Sequence, residues 1–398
     1  MFEQLSRLPD DPILGVMTAF RADPSPDKVD LGVGVYRDLA GHTPVLDCVR
    51  RAEREVVAAQ TTKSYVAPAG RAEFNEAVTE LVLGAGHPAV RDGRVTTVQA
   101  PGGCGALRVG AELIRIAAPG TVVRVSDPTW GNHLPLLGSS GLRLERYPYY
   151  DPARRRLCFD AMCAHLERAA AGDVVLLHAC CHNPTGSDLS APQWREVFGI
   201  VARRRLLPFL DLAYQGFGGG VVADAAAVRQ AAETLPEGLI AVSFSKNLGL
   251  YRERVGALIA FAGDPARAAA IRSQVLQIGR SIYSMPPDHG AAIAAHILRD
   301  PGLTAAWLAE LDDMRLRIES MRSLLAAQLG AAWSGADFEF LRTQRGMFSL
   351  LGATPAQVER LRQEHHVYMT GDGRMNLAGV MPQNVGYLAR AIAAVLRG

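Results

Sequence analysis

The chain has 398 residues, 48% hydrophobic and 21% charged, with 42 basic side chains against 40 acidic ones for a formal charge of +2. That length is more than one hydrophobic core comfortably fills, so two domains are expected, and the composition is that of an ordinary globular protein. The near-neutral balance excludes the charge footprint of a nucleic-acid or anionic-membrane binder. No apolar run exceeds strand length, and the start, Met1-Phe2-Glu3-Gln4-Leu5, has no basic n-region, so neither a membrane span nor a signal peptide is expected.

The six cysteines show neither C-x-x-C pairs nor zinc spacing. They predict reduced thiols in a cytoplasmic protein and no metal. Residues 13–21 predict a short helix, and Val29 to Tyr36 a strand whose two glycines let another group approach the backbone. A helix is expected from about Pro44 to Gln60, and Tyr65 falls in the irregular stretch after it. Thr96 to Pro101 reads as a strand that runs through Gly102-Gly103-Cys104-Gly105 into a helix. Such a junction offers free backbone N–H groups and the positive end of a dipole to an anion.

The pattern then repeats. Strands are predicted over 122–126, 174–178, 207–210 and 239–244, with helices over 192–204 and 223–234. Strand–helix alternation implies a mostly parallel sheet flanked by helices, and ligands bind such sheets beyond the carboxyl ends of the strands. Those ends carry a glycine loop, Trp130, Asn183, Asp211 with Tyr214, and Ser243-x-Ser245-Lys246. They should meet in one crevice. Further on, Arg267 to Gly279 reads as a helix. Leu311, Met314, Ile318, Met321 and Leu325 form the apolar stripe of a long one. The tail from Phe338 mixes strands and helices.

A lysine at a strand end can simply snorkel to water. It can also be a desolvated amine that forms a Schiff base with an aldehyde cofactor. The other strand ends match what pyridoxal 5'-phosphate would need. Lys246 supplies the amine. Gly103 with the helix start, Ser243, Ser245 and Arg254 supply donors for the phosphate. Asp211 can hold the ring nitrogen protonated, Asn183 and Tyr214 can reach the phenolic oxygen, and Trp130 offers a stacking face.

The stretches Ser-Phe-Ser-Lys-Asn-x-Gly-Leu-Tyr-x-Glu-Arg-Val-Gly, Cys-Cys-His-Asn-Pro-Thr-Gly and Asp-x-Ala-Tyr-Gln-Gly-Phe resemble fold-type I, class I aminotransferases. The likeness is to the aspartate and aromatic amino-acid branch, and it runs from Asp11-Pro12-Ile13-Leu14 to the C-terminus. It implies an N-terminal arm (1–11), a small domain (12–43 with 312–398) and a large cofactor-binding domain (44–311). It also implies that Lys246 carries the cofactor and moves the substrate proton. Asp211 pairs with the pyridine nitrogen with His133 behind it, and Trp130 stacks on the ring. Arg374 grips the substrate α-carboxylate, and Gly34 approaches the substrate from above.

A homodimer with shared sites is implied too. Tyr65, toward the phosphate, and Arg280, toward a side-chain carboxylate, would come from the partner subunit. Cis peptides are implied before Pro128 and Pro184. Three departures stand out: Cys104 where the aspartate branch has Thr or Ser, Met285 where it has Asn, and Ser64 where it has Asn. A soft Met near the substrate suits a large side chain. The tail Tyr-Met-x-Gly-Asp-x-Arg-x-Asn-x-Ala-Gly also resembles the aromatic members more closely.

The expectation is ping-pong transamination between tyrosine, phenylalanine or aspartate and 2-oxoglutarate. Arg280 would swing outward when an aromatic side chain binds. A strict aspartate aminotransferase is the alternative. A β-lyase or decarboxylase on the same fold, or a non-catalytic aminotransferase-like protein, lies further off.

Overall fold

A computed structural model describes residues 1–7 and 12–397. Seven strands form the central sheet, in the spatial order Val95–Pro101, Val255–Phe261, Gly238–Ser243, Leu207–Leu212, Val174–His178, Val122–Asp127 and Arg143–Pro148. Val255–Phe261 runs against both of its neighbours, and the remaining pairings are parallel. The chain is therefore the mostly parallel α/β sheet that the strand–helix alternation predicts. Because Val255 lies opposite Pro101, the start of the antiparallel strand sits at the same edge as the carboxyl ends of the others. Arg254 is thereby delivered to that edge.

The strands are apolar on both faces because both faces are covered. Val174 and Leu176 pack into one core with Phe209, Leu239 and Ala241, while Val175 and Leu177 join Leu210, Ile240 and Val242 in the other. This alternation has period two. Asp211 and His178 share the parity of the first set, which faces the helix Gly102–Ala117. That helix buries Leu107, Val109, Leu113 and Ile114.

Gly110 marks its closest approach to the sheet, since an added Cβ would lie 2.5 Å from Phe209 Cζ. Phe209 is fully buried and cannot yield. Gly110→Ala is expected to lower stability by about 1–3 kcal/mol through overpacking, despite a helix-propensity gain of about 1 kcal/mol. The check is a lower urea midpoint at unchanged m-value.

The two ends of the chain meet. Val29–Asp30 pairs in parallel with Val367–Tyr368, and Phe348–Leu350 pairs antiparallel with Arg374–Asn376. The helix Pro301–Ala332 starts at Asp300, whose side chain accepts the Leu303 N–H at 2.7 Å. The expected stripe of Leu311, Met314, Ile318, Met321 and Leu325 is buried along it. Positions 311 and 312, where two domains were expected to divide, lie within this one helix.

Three local expectations are corrected. The helix expected from Pro44 is Asp47–Ala59. The helix expected over 223–234 is two, Val221–Asp224 and Ala226–Thr234. Asp224 ends the first by turning its carboxylate onto the N–H groups of Gly216, Gly218 and Gly219. The strand expected over Val29 to Tyr36 stops at Asp30. Beyond it, side chains take the place of a ladder: Asp30 accepts from the Gly32 and Val33 N–H groups, and Asn376 donates to the Val33 and Val35 carbonyls.

Of the arm expected over 1–11, residues 8–11 lie outside the described residues, as does the Asp11 that opens the family likeness. Among the described residues no helix is long and apolar enough to cross a membrane.

Candidate active site

One crevice of about 200 Å³ gathers the strand ends: Gly34, Gly103, Cys104, Trp130, Asn183, Asp211, Tyr214, Ser243, Ser245, Lys246 and Arg254 line it. A larger groove of about 900 Å³, between the helix Pro12–Ala22 and residues 249–253, contains neither Lys246 nor Asp211. Chemistry, rather than volume, points to the smaller one.

Lys246 follows the strand Gly238–Ser243 and projects into the crevice. Its Nζ sits 5.1 Å from the centroid of the Tyr214 ring. Among the described residues no oxygen accepts a hydrogen bond from it. Desolvation pulls its pKa down, with Arg254 and Arg374 adding to the effect, while Asp211 and Cys104 oppose it. An amine eased toward neutrality in this way is a nucleophile and a proton carrier.

Asp211 is 6% exposed at the end of its strand. Burial alone would raise its pKa. The hydrogen bond from His133 Nε2 at 3.1 Å, with the nearby Lys246 amine, brings it below the usual value instead. His133 is in turn held by Thr129 Oγ1 at 2.8 Å, and that hydroxyl also contacts His178 Nε2 at 3.2 Å. Burial drives the His178 pKa down to about 3, so this ring is neutral. The network keeps a buried carboxylate charged beneath the crevice floor.

At the rim, Asn183 Nδ2 donates to the Tyr214 hydroxyl at 3.3 Å. Burial pushes the Tyr214 phenol well above its ordinary pKa, and Arg374 only partly offsets this. Arg374 lies beside Asn183, with Nη1 3.5 Å from Asn183 Oδ1 and Nη2 donating to the Gly32 carbonyl at 3.0 Å. Its guanidinium lies 4.6 Å from the Phe348 ring centroid. Its Nε is buried without a partner among the described residues, an orphaned donor that an anion would satisfy. The peptides before Pro128 and Pro184 are both cis.

A family model described as aminotransferase class I and II matches residues 26–392. The chain belongs to this aminotransferase family. It is 49% identical over 394 residues to an aromatic-amino-acid aminotransferase of Pseudomonas aeruginosa, covering 99% of this chain and 98% of that one. It is 45% identical over 396 residues to an aspartate aminotransferase of Escherichia coli, covering all of both. A crystal structure of an aromatic-amino-acid aminotransferase from Burkholderia pseudomallei, covalently bound to pyridoxal phosphate, superposes with a TM-score of 0.97 at 46% identity. That match covers 100% of this chain and 99% of the other.

In this aminotransferase three of the residues singled out in the sequence, Tyr65, Arg280 and Met285, lie apart from the crevice. Tyr65 is 90% exposed. Arg280 is exposed and donates to Ser284 Oγ at 2.6 Å. Met285 does not line the crevice either; its sulfur accepts the Val66 N–H at 3.3 Å, which ties it to the Tyr65 segment. Cys104 is in the crevice, where its sulfur, a weak acceptor, takes the Asn132 Nδ2 hydrogen at 3.7 Å.

The sequence reading missed Tyr251, which lines the aminotransferase crevice and accepts the Tyr36 N–H on its hydroxyl at 2.9 Å. Its signal was present in the Gly-Leu-Tyr that follows Lys246. A tyrosine two residues past a turning glycine is placed to look back at the strand end.

Proposed function

We propose that this aminotransferase binds pyridoxal 5'-phosphate in the Lys246 crevice and transfers amino groups between aromatic or dicarboxylic amino acids and 2-oxoglutarate. The observation that carries the reading is the pair of Lys246 and Asp211: an amine without a hydrogen-bond acceptor among the described residues, and a buried carboxylate held charged in the same crevice. The names of the relatives and the cofactor of the Burkholderia pseudomallei structure support it.

The residues present fit the cofactor. At the phosphate end the donors are in surplus: the first turn of Gly102–Ala117, Ser243, Ser245 and Arg254. Gly102 has φ +70°, and a Cβ there would come within 2.6 Å of Arg254 Nη2, so the cradle needs a glycine. When bound, the cofactor supplies an aldehyde carbon for amine exchange and a protonated ring that takes up the electron pair released at the substrate Cα.

The chain's own residues do the rest. Gly103, Cys104, Ser243, Ser245 and Arg254 would hold the phosphate, Trp130 would cover one ring face, and Asn183 and Tyr214 would hold the phenolic oxygen. Asp211 would keep the ring nitrogen protonated, with His133 orienting its carboxylate. Lys246 would anchor the cofactor and carry a proton at the substrate Cα. Arg374 would bind the α-carboxylate in a fork, with Gly34 above the substrate. Both half-reactions would use this one site in turn.

The exposed Tyr65 and Arg280 support a homodimer in which the partner subunit's Tyr65 and the partner subunit's Arg280 complete each site, one at the phosphate and one at a substrate side-chain carboxylate. Arg280, exposed and held among the described residues only through Ser284, has room to turn away from an aromatic ring. Residues 12–43 with 312–398 would then form the small domain and 44–311 the large one. The six free cysteines support a reducing, cytoplasmic setting.

The test is glutamate formation from 2-oxoglutarate with aspartate, tyrosine and phenylalanine in turn. All three should serve, with kcat/KM values within about 100-fold of one another, the span that pocket contacts of this kind allow. Turnover of aspartate alone would identify a strict aspartate aminotransferase. Release of ammonia and pyruvate without glutamate would identify an elimination enzyme.

A further inference from the structure

Arg322 lies on the helix Pro301–Ala332, 1% exposed, and is among the largest fully buried side chains of the protein. It forms no ion pair among the described residues. A buried guanidinium without a carboxylate is costly unless each N–H finds an acceptor. Here it does, through six hydrogen bonds to the carbonyls of Leu341, Arg345, Gly346 and Phe348 and to Ser349 Oγ, at 2.6 to 3.2 Å. Burial draws its pKa down to about 10, so it stays charged at neutral pH.

The segment it gathers, 341–349, carries Phe348. That ring lies under the Arg374 guanidinium at 4.6 Å and edge-on to Tyr214 at 6.0 Å, and a Cβ on Gly34 would lie 3.4 Å from its Cζ. The same segment is joined to the Asn183 turn. The Arg345 N–H donates to the Gly186 carbonyl at 2.7 Å, and a Cβ on Gly186 would meet the Phe348 carbonyl at 2.4 Å. One cation thus fixes both the platform under Arg374 and the turn that presents Asn183.

We propose that Arg322 is a positioning residue for substrate carboxylate binding, holding Phe348 and the 183–186 turn so that Arg374 meets the carboxylate in the correct orientation. This rests on the reading of Arg374 as the carboxylate fork. Arg322 touches neither substrate nor cofactor, so its loss should act on carboxylate affinity and leave cofactor binding in place. The effect should not depend on the substrate side chain, because every α-amino acid presents the same carboxylate.

The experiment measures 3-phenylpropionate binding to the holoenzyme by calorimetry, and KM and kcat for aspartate and phenylalanine. It compares Arg322→Met, Arg322→Lys, Ser349→Ala and Arg374→Ala with the wild type. Arg322→Met should weaken 3-phenylpropionate and raise both KM values by the same factor, roughly 10- to 100-fold, the cost of a misplacement near 1 Å. Its kcat should move far less. Arg322→Lys keeps the charge but offers three donors, so it should fall between Arg322→Met and wild type. Ser349→Ala removes one partner of Arg322 and should give a smaller shift in the same direction, which keeps the test open if Arg322→Met does not fold.

Unchanged affinity in folded Arg322→Lys and Ser349→Ala, with only a loss of thermal stability, would overturn the proposal. Wild-type affinity in Arg374→Ala would instead overturn the carboxylate-fork reading itself. A weakened Arg374→Ala beside an unaffected Arg322→Lys would sink the positioning role alone.

Discussion

Lys246→Ala is expected to lower transamination by at least about 10⁴-fold, the upper range for removing a positioned proton-transfer group, and to leave the fold intact. The size follows from the absence of a substitute. The sequence holds three lysines, Lys28, Lys63 and Lys246. Lys28 is spent on the Phe20 and Asp23 carbonyls, and Lys63 on exposed Gln60. Neither lines the crevice. No other amine can therefore anchor the cofactor or carry the proton. Because no oxygen among the described residues accepts a hydrogen bond from Lys246, its removal orphans no hydrogen-bond partner; Asp211 loses a nearby positive charge but keeps its hydrogen bond from His133, so thermal stability should change little. Borohydride treatment of the wild-type protein with pyridoxal 5'-phosphate should fix the label on the peptide bearing Lys246 and on neither of the others. A colourless protein, or a label on Lys63, would remove the basis of the proposed chemistry.

How far the sequence could be read depends on which physical signal each element carries. Strands buried on both faces, such as Val174–His178, read as plain apolar runs, and the residues just past their ends are punctuated by Gly, Pro and Asn. The crevice was legible for that reason. The edge strand Arg143–Pro148 was not, because four of its six residues are charged or proline and it is largely exposed; edge strands are polar for good reason.

The stretch after Asp30 looked like a strand because its aliphatic pattern is strand-like. Its backbone groups are instead met by Asp30 and Asn376, and no sequence period announces a side chain 340 or more positions away. Arg322 was hidden by its own type. It stands four residues past Ile318, on the apolar stripe, where a charged residue reads as a flank rather than as the centre of a buried network. Tyr65, Arg280 and Met285 raise a different difficulty. They lie away from this chain's crevice, and only the proposed homodimer would bring them to a site.

Asp211→Asn is expected to cut kcat roughly 10²- to 10³-fold. Asparagine has the shape of aspartate, and its side-chain oxygen can still accept from His133 Nε2, so packing and the Thr129–His133 contact survive. What is lost is one buried negative charge. Removing one preorganised electrostatic partner of a reacting group costs about 2.7–4 kcal/mol of activation free energy, and each 1.36 kcal/mol is about tenfold in rate. The charge matters at neutral pH because the Asp211 pKa lies below the ordinary aspartate value, so the carboxylate is ionised across the working range. Its removal would withdraw the field that favours a protonated nitrogen in the ring above it. It would also withdraw the field that holds up the pKa of Lys246, which should fall further. The expected result is a loss concentrated in kcat, with substrate carboxylate affinity nearly unchanged, because the proposed carboxylate fork, Arg374, shares no hydrogen bond with Asp211 among the described residues. Asp211→Glu, which keeps the charge but moves it by one methylene, should retain more activity than Asp211→Asn if charge is the cause, and less if position is. Full turnover by Asp211→Asn would mean that the buried carboxylate serves His133 and the fold rather than the cofactor ring.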